Sequence, residues 1–230
     1  MLLDNKNAIV TGASQGIGKA IASALLNEGA RVAGWNRSKP SLTHDRFHSI
    51  PADVSDWASV QHAFGETLDI LDGKIDILVN NSGIAYSGEF ETLPIEKWQQ
   101  MFRVNVDGIF YCSRLVIPVM KKQGRGHIVN ISSIAGLNGV KNLAGYSATK
   151  HAVRGISHSL FMELRESGIK VTCIYPGSVR TGLGDPRNDI PLADNPMMPE
   201  DIAATVIGVL NSPPNYLTVD VEVRPLKPKG

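Results

Sequence analysis

The chain alternates between short apolar runs and longer stretches in which apolar residues recur every three or four positions. Short apolar runs are typical of strands buried on both faces, whereas the longer spacing places apolar side chains on one face of a helix. In the first helical stretch Ile17, Ile21 and Leu25 share one face, and Gly29 is a typical stop signal. Strands are predicted at residues 7–10, 31–35, 47–50, 75–80, 127–131, 169–175 and 216–224.

Helical spacing fills most intervals between these strands. We expect Ser55 to cap the second helix and the third helix to break near Asn105. Strands that alternate with helices form βαβ units with a parallel sheet and right-handed crossovers. The pattern predicts an α/β fold, a single doubly wound Rossmann domain over residues 1–230 with a mostly parallel seven-stranded sheet and helices on both faces. The helices are predicted at residues 17–28, 56–71, 94–122, 146–166 and 199–210.

One connection, residues 181–199, lacks either periodicity and is rich in proline, glycine, aspartate and asparagine. Connections of this length are often lids or binding segments, so we expect it to cover a substrate. Its charged residues, such as Asp185 and Arg187, stand beside apolar ones, such as Leu183 and Ile190, and this mixture indicates no single substrate. Several apolar residues are expected near the mouth of the pocket. They form either an apolar wall or ordinary helix packing, and the residues are Ile134, Leu137, Val140 and Leu143.

Composition narrows the choice of partners. The 230 residues carry a net charge of +1, which indicates neither a nucleic-acid-binding nor a membrane-surface protein. The N-terminus lacks the pattern of a signal peptide, and the longest apolar runs are too short to span a bilayer. Cys112 and Cys173 are too few for a disulfide framework and lack metal-site spacing, so we interpret both as small buried residues. We expect a cytoplasmic protein without a metal site.

The first predicted strand runs through Thr11 into a glycine-rich loop that opens the first helix. Such a loop brings backbone close to a ligand, and the helix N-terminus offers unpaired N–H groups to a pyrophosphate. Its position between strand and helix of the first βαβ unit favours dinucleotide binding over a tight turn that binds nothing. The cofactor contacts predicted here are Gly12, Ser14, Gln15, Gly16, Ile17 and Gly18.

The end of the second strand is where a dinucleotide-binding domain meets the adenosine ribose. Domains that prefer NAD usually place a carboxylate there, but this chain has Asn36, Arg37 and Ser38. An arginine can pair with the 2′-phosphate of NADP in a forked geometry, and Lys19 can add positive charge. We therefore predict NADP(H) as cofactor; the alternative is that Arg37 is a solvated loop charge.

Tyr146 and Lys150 lie four residues apart in a predicted helix, so their side chains can reach the same space. A nearby ammonium favours the phenolate form, so we expect Lys150 to lower the pKa of Tyr146 from its ordinary value of about 10. A tyrosine tuned in this way can exchange a proton with an alkoxide or alcohol. Ser132 and Ser133 follow a strand, where a hydroxyl can hold a substrate carbonyl. Taken alone, the tyrosine–lysine pair more often means packing and a solvated charge.

From about residue 7 to residue 224 these motifs, in this order, closely resemble the short-chain dehydrogenase/reductases with a Tyr-x-x-x-Lys pair. The resemblance implies that Asn105 props a water in a proton relay and that Ser133, thirteen residues before Tyr146, is the catalytic serine, with Ser132 supporting the structure. Asp53 and Val54 resemble an adenine-contacting pair. Further cofactor contacts are implied at Asn80, Ser82, Gly83, Tyr146, Lys150, Pro176, Gly177, Val179 and Thr181.

The resemblance also implies an activity. The chain is expected to transfer hydride between NADPH and a ketone, aldehyde or 3-oxoacyl group, with Asn105, Ser133, Tyr146 and Lys150 as catalytic residues. The alternatives are an NAD-linked alcohol or sugar dehydrogenase and a catalytically silent NADP-binding regulator. Family members form homodimers or homotetramers through helices that correspond to residues 98–120 and 146–166, so either assembly is expected here; burial of this apolar surface within one chain is the alternative.

Some positions depart from the family pattern. Ser82 replaces a usual alanine, and Tyr175 stands where an asparagine often precedes Pro176 and Gly177. This tyrosine alters either the nicotinamide pocket or packing alone. The final strand lacks the Asp-Gly-Gly ending of many acyl-carrier-protein reductases, which argues against fatty-acid elongation without excluding it.

Overall fold

The strands of the described residues form one parallel sheet. The computed structural model describes residues 3–181 and 192–229. Within these residues the sheet has seven strands in the order β3-β2-β1-β4-β5-β6-β7, all paired in parallel. The strands are β1 (Asn7–Thr11), β2 (Arg31–Asn36), β3 (Phe47–Pro51), β4 (Ile77–Asn80), β5 (Gly126–Ile131), β6 (Ile169–Pro176) and β7 (Asp220–Val223). The predicted doubly wound α/β fold is confirmed.

Helices cover both faces of the sheet. A π-helical stretch at Arg103–Asp107 separates α3 from α4, which confirms the predicted break at Asn105. A left-handed glycine, Gly124, ends α4. The α-helices in the described residues are α1 (Gly16–Asn27), α2 (Trp57–Ile70), α3 (Ile95–Phe102), α4 (Gly108–Gln123), α5 (Ala144–Leu164) and α6 (Pro199–Leu210).

The sheet is buried on both sides because neighbouring residues of each central strand serve different layers. On β1, Val10 packs in the apolar cluster of α1 and α6, together with Ile21 and Val206. The preceding residue, Ile9, belongs instead to the cluster that includes Val116 of α4. Alternation of side chains along a strand explains this division, and burial on both faces explains the continuous apolar runs in the sequence.

The strand order reverses at the centre of the sheet. β1 pairs with β2 on one side and with β4 on the other, so the chain leaves the carboxyl ends of β1 and β4 in opposite directions. Ligands of open α/β sheets bind in the crevice that such a reversal creates. The central strands β1 and β4 are followed by Gly12 and Asn81, and β2 ends at Asn36. The fold therefore brings the glycine loop and the predicted ribose-binding end of β2 to one crevice.

Some predicted boundaries were wrong. Asp56, and not Ser55, caps α2: its carboxylate accepts a hydrogen bond from the backbone N–H of Ser59 at 3.0 Å. Ser55 instead donates its hydroxyl to Asp53 at 2.7 Å. The last strand covers only Asp220–Val223 rather than residues 216–224, because it pairs with β6 only from Cys173 onward. No helix in the described ranges is long and apolar enough to cross a membrane.

Candidate active site

A cleft of about 620 Å³ opens beyond the carboxyl ends of the central strands. This volume lies within the usual range of small-molecule sites. The cleft is lined by residues from the connections after β1, β2, β3, β4, β5 and β6. The predicted site residues that line it are Gly12, Ser14, Gln15, Gly16, Ile17, Asn36, Arg37, Ser38, Asp53, Val54, Ser82, Gly83, Ser133, Tyr146, Lys150, Pro176, Gly177, Val179 and Thr181.

The glycine loop has the backbone that its sequence predicts. Gly12 and Gly16 adopt φ values of +68° and +53°, a left-handed region in which a side chain is disfavoured. Gln15, at the start of α1, makes no side-chain cap. The first N–H groups of α1 are therefore left for an anion, and the helix dipole favours negative charge at the same place.

Gly18 does not line the cleft, in contrast to its predicted role as a cofactor contact. A Cβ at this position would overlap the carbonyl oxygen of Gly12 and the side-chain nitrogen of Asn81. Gly18 therefore allows α1 to pack tightly against the end of β1, and it shapes the loop from behind.

Asn80 was also predicted to contact the cofactor, and it too lies away from the cleft. It is 3% exposed, and its amide nitrogen donates to Asn130 at 2.8 Å and to Ser113 at 3.2 Å. These bonds join β4 to β5 and α4 beneath the cleft floor. Because Asn80 is the last residue of β4, its side chain points into the sheet's packing layer rather than beyond the strand end.

The neighbouring Asn81 lines the cleft and was not singled out from the sequence. Its amide nitrogen donates to the carbonyl of Thr11 at 2.9 Å. The Thr11 hydroxyl in turn accepts the backbone N–H groups of Asn81 and Ser82, both at 3.0 Å. These bonds fix the chain after β4 against the glycine loop. The signal available in the sequence was the Asn-Asn pair itself, in which the second residue lies beyond the strand.

Polar side chains surround the end of β2. Arg37 and Ser38 are exposed and line the cleft. The Ser38 hydroxyl bonds to that of Ser14 in the glycine loop at 3.2 Å. Lys19 donates to Ser41 at 2.9 Å, which holds a second cation beside the same loop. Positive charge and hydroxyl groups therefore gather where the glycine loop and the β2 end meet.

Lys150 reaches the cleft from α5 and is 4% exposed. Its ammonium donates to the carbonyl oxygen of Ile131, the last residue of β5, at 2.8 Å. Burial lowers the pKa of Lys150 to about 8, with the Cys173 side chain acting in the opposite direction. The hydroxyl of Ser132 donates to the Lys150 carbonyl at 3.0 Å and so fixes this turn of α5 against the end of β5.

Tyr146 and Ser133 stand next to Lys150. Burial raises the pKa of Tyr146 to about 12, and a hydrogen bond with Ser133 acts in the opposite direction. The Lys150 nitrogen lies 5.7 Å from the centre of the Tyr146 ring. The expectation that Lys150 lowers the pKa of Tyr146 is thus not met: removal from water raises this pKa, and the group that acts in the opposite direction is Ser133.

Asn105 is fully buried behind this group and does not line the cleft. Its amide nitrogen donates to the Ile84 carbonyl at 2.9 Å and to the Thr149 hydroxyl at 3.0 Å, and its oxygen accepts the Ile84 N–H at 2.9 Å. A Cβ placed on Gly83 would lie 3.5 Å from the Asn105 oxygen and 3.6 Å from the Lys150 nitrogen. Asn105 therefore supports the chain that passes directly beside Lys150.

Comparison with known proteins decides the family. The family model described as short chain dehydrogenase matches residues 6–190. The chain belongs to the short-chain dehydrogenase family. An uncharacterised oxidoreductase of Staphylococcus aureus (strain USA300) is 36% identical over 232 residues, covering 98% of this chain and 99% of that protein. The chain is thus a short-chain dehydrogenase and an oxidoreductase.

Solved short-chain dehydrogenase structures have the same fold. A 3-ketoacyl-(acyl-carrier-protein) reductase from Brucella melitensis, complexed with NADH, has a TM-score of 0.90 and 30% identity, covering 96% of this chain and 98% of that one. An alcohol dehydrogenase from Thermococcus sibiricus, complexed with 5-hydroxy-NADP, has a TM-score of 0.85 and 27% identity, covering 96% and 97%.

Tyr175, which departs from the short-chain dehydrogenase pattern, lies in a packing layer away from the cleft. Its ring is 1% exposed and packs in the cluster of Ile109, Val153 and Cys173, and its hydroxyl donates to Asp220 at 2.7 Å.

Leu137 packs against the same cluster and does not form the cleft wall. The other predicted wall residues, Ile134, Val140 and Leu143, do line it. Of the predicted lid, residues 182–191 lie outside the described residues.

Proposed function

We propose that the chain is an NADP(H)-dependent oxidoreductase that transfers hydride between the nicotinamide and a carbonyl or secondary alcohol. Its substrates are ketones, aldehydes or 3-oxoacyl groups. The proposal rests on one observation: Ser133, Tyr146 and Lys150 line the cleft together. They lie near the end of β5, whereas Arg37 lies near the end of β2 on the other side of the central strands. This combination of a proton donor, a carbonyl-binding hydroxyl and a buried cation fits carbonyl chemistry.

The residues of the cleft fit a dinucleotide. The N–H groups at the start of α1, left without a side-chain cap, would hold the pyrophosphate. Asn36, Asp53 and Val54 would surround the adenosine, and Pro176, Gly177, Val179 and Thr181 would lie against the nicotinamide end. When bound, the cofactor supplies or accepts the hydride.

The chain's own residues carry the proton and position the substrate. With a pKa of about 12, Tyr146 is protonated at neutral pH, so its hydroxyl can donate a proton to the oxygen of a carbonyl being reduced. Ser133 bonds to the same oxygen and orients the carbonyl. Lys150, held by the Ile131 carbonyl, places positive charge beside the tyrosine as that proton leaves. Asn105 positions the Ile84 segment and, through Thr149, the turn that carries Lys150.

Arg37 is the residue proposed to select NADP(H). Arg37→Asp replaces a cation by an anion where the 2′-phosphate would lie, so the affinity for NADPH should fall by about tenfold or more and the affinity for NADH should hold or rise. Titration of the protein with each cofactor, followed by fluorescence, measures both dissociation constants. Lys39→Asp is the matched control, because Lys39 is exposed nearby and does not line the cleft.

If the ratio of the NADPH and NADH dissociation constants is the same in Arg37→Asp as in the wild type, Arg37 does not select the cofactor. A wild-type preference for NADH would instead favour an NAD-linked alcohol or sugar dehydrogenase, a possibility supported by the NADH in the structure of the Brucella relative. Binding of either cofactor without any turnover would favour a silent regulator.

We further propose a homodimer or homotetramer. The support is an exposed apolar surface on the long helices, where Phe110 of α4 is 53% exposed and Met162 of α5 is 58% exposed. Large apolar side chains exposed on neighbouring helices are typical of interfaces between subunits. Sedimentation equilibrium of the wild type measures the assembly directly.

A further inference from the structure

The part of the cleft around Tyr146 is apolar, in contrast to the end near Arg37. Tyr146 packs with Ala85, Ala135 and Leu143 in one buried cluster. Ile134, next to Ser133, extends this surface, and Val140 continues it to the rim. The described lining side chains that adjoin Tyr146 on this side of the cleft are therefore hydrocarbon.

Lys150 is the one charged side chain beside Tyr146 among the described lining residues. Among the described lining residues the charged side chains are Arg37, Asp53 and Lys150. Arg37 and Asp53 follow β2 and β3, and Lys150 is buried and bonded to the Ile131 carbonyl. Because Lys150 is already bonded to the Ile131 carbonyl and assigned to the reaction, a carboxylate or phosphate on the substituent would gain no further described cation beside Tyr146, and a charge buried without a partner is strongly disfavoured.

The rim of this apolar region carries exposed aliphatic side chains. Val140, in the connection after β5, is 38% exposed, and Leu192, in the connection after β6, is 51% exposed. Both line the cleft. An apolar substituent that extends from the reacting carbonyl toward the rim would cover them and remove their surface from water.

We infer that the substrate carries an uncharged, apolar substituent on its reacting carbonyl, and that Val140 and Leu192 are the residues that select it. This inference rests on the proposed function and specifies its substrate class. It favours alkyl or aryl ketones and aldehydes over oxo acids and sugar phosphates, because the latter carry a charge close to the carbonyl.

Two ketones with the same reacting group test the inference. Acetophenone and 4-acetylbenzoate differ by one carboxylate on the ring, so the kcat/KM for NADPH-dependent reduction should be at least about tenfold higher for acetophenone. In Val140→Lys the new ammonium at the rim can pair with the carboxylate, and the ratio of the two kcat/KM values should fall by about two- to fivefold. Calorimetric binding of both ketones to the protein saturated with NADP⁺, which has no hydride to give, provides the same comparison without turnover.

Controls separate the possible failures. Val140→Leu keeps an aliphatic rim and should keep the preference, and Lys141→Ala removes an exposed cation next to Val140 that does not line the cleft, so it should leave the ratio unchanged. Equal binding and turnover of both ketones, or binding of neither, would overturn the inference. Turnover of 4-acetylbenzoate would still uphold the proposed function, whereas failure of NADPH itself to bind would defeat the proposed function.

Discussion

Tyr146 and Lys150 are both buried, and burial moves their pKa values in opposite directions. The phenol is held neutral with a pKa of about 12, and the ammonium becomes easier to deprotonate, with a pKa of about 8. Both shifts have one cause, since a charged group loses hydration when it leaves water. At neutral pH the pair therefore consists of a proton donor beside a cation, which suits the reduction of a carbonyl.

The pH dependence of reduction should follow Lys150. As pH rises through about 8, Lys150 loses its proton and the positive charge beside Tyr146 disappears, while Tyr146 itself stays protonated. The kcat/KM for NADPH-dependent reduction should therefore be level below neutrality and fall above pH of about 8. In Lys150→Arg the charge persists, so the descending limb should shift upward. A wild-type profile that stays level to pH of about 10 would contradict this assignment.

For single residues, the sequence predicted which side chains form the site better than it predicted their burial and pKa values. The spacing of Tyr146 and Lys150 depends on helix geometry, so their approach was predictable. Their pKa directions were not, because burial depends on the packing of distant strands and helices. For the same reason the sequence did not separate Asn80, which bonds to Asn130, from Asn81, which lines the cleft: adjacent residues at a strand end differ in direction, and the last paired residue is fixed by the tertiary structure.

The position of α1 depends on a close approach between its first turn and β1. Gly18 permits that approach, because a Cβ there would overlap the Gly12 carbonyl. The uncapped start of α1 is thereby held beneath the glycine loop, where its N–H groups face the cleft. Packing at the back of this helix therefore determines whether an anion can bind at its front.

Gly18→Ala should disturb both packing and cofactor binding. Forcing α1 outward should cost about 1–3 kcal/mol of the free energy of unfolding, as for an overpacked core, and should weaken NADPH binding. Gly65→Ala is the matched control, because Gly65 lies on the exposed side of α2 with no atom within 4 Å of the added Cβ. It should stabilise the protein by about 0.5–1 kcal/mol.

Urea unfolding and NADPH titration of both variants measure these effects. Equal stability and equal NADPH affinity in the wild type and Gly18→Ala would show that α1 does not need this approach. The prediction then fails whatever the behaviour of Gly65→Ala.

The elements themselves were predictable where periodicity extends over many residues. Helices and central strands of the described residues match their predicted positions, because apolar spacing reflects burial on one face or on two. The ends were less predictable: either Ser55 or Asp56 can serve as a cap, and in the structure the Asp56 carboxylate accepts the Ser59 N–H whereas the Ser55 hydroxyl bonds to Asp53. The last strand was overestimated because the alternation extends beyond the residues that pair with β6.

On the scale of the whole molecule, the cleft is a consequence of strand order. Since β1 and β4 are neighbours at the centre of the sheet, connections that are far apart in sequence meet at one edge. Local patterns predict strands and helices, and the handedness of their connections limits the order. Substrate choice was not predictable in this way, because the apolar region around Tyr146 combines the connections after β4, β5 and β6.

Tyr146 is proposed to supply the proton in a nicotinamide-dependent carbonyl reduction, and the variant Tyr146→Phe removes the hydroxyl that carries this proton. The measurement is the rate of NADPH oxidation by wild type and variant with acetophenone, together with the NADPH dissociation constant of each. Loss of kcat by about 10²–10⁴ with NADPH affinity retained is the predicted result. Turnover by Tyr146→Phe at the wild-type rate would show that another group supplies the proton.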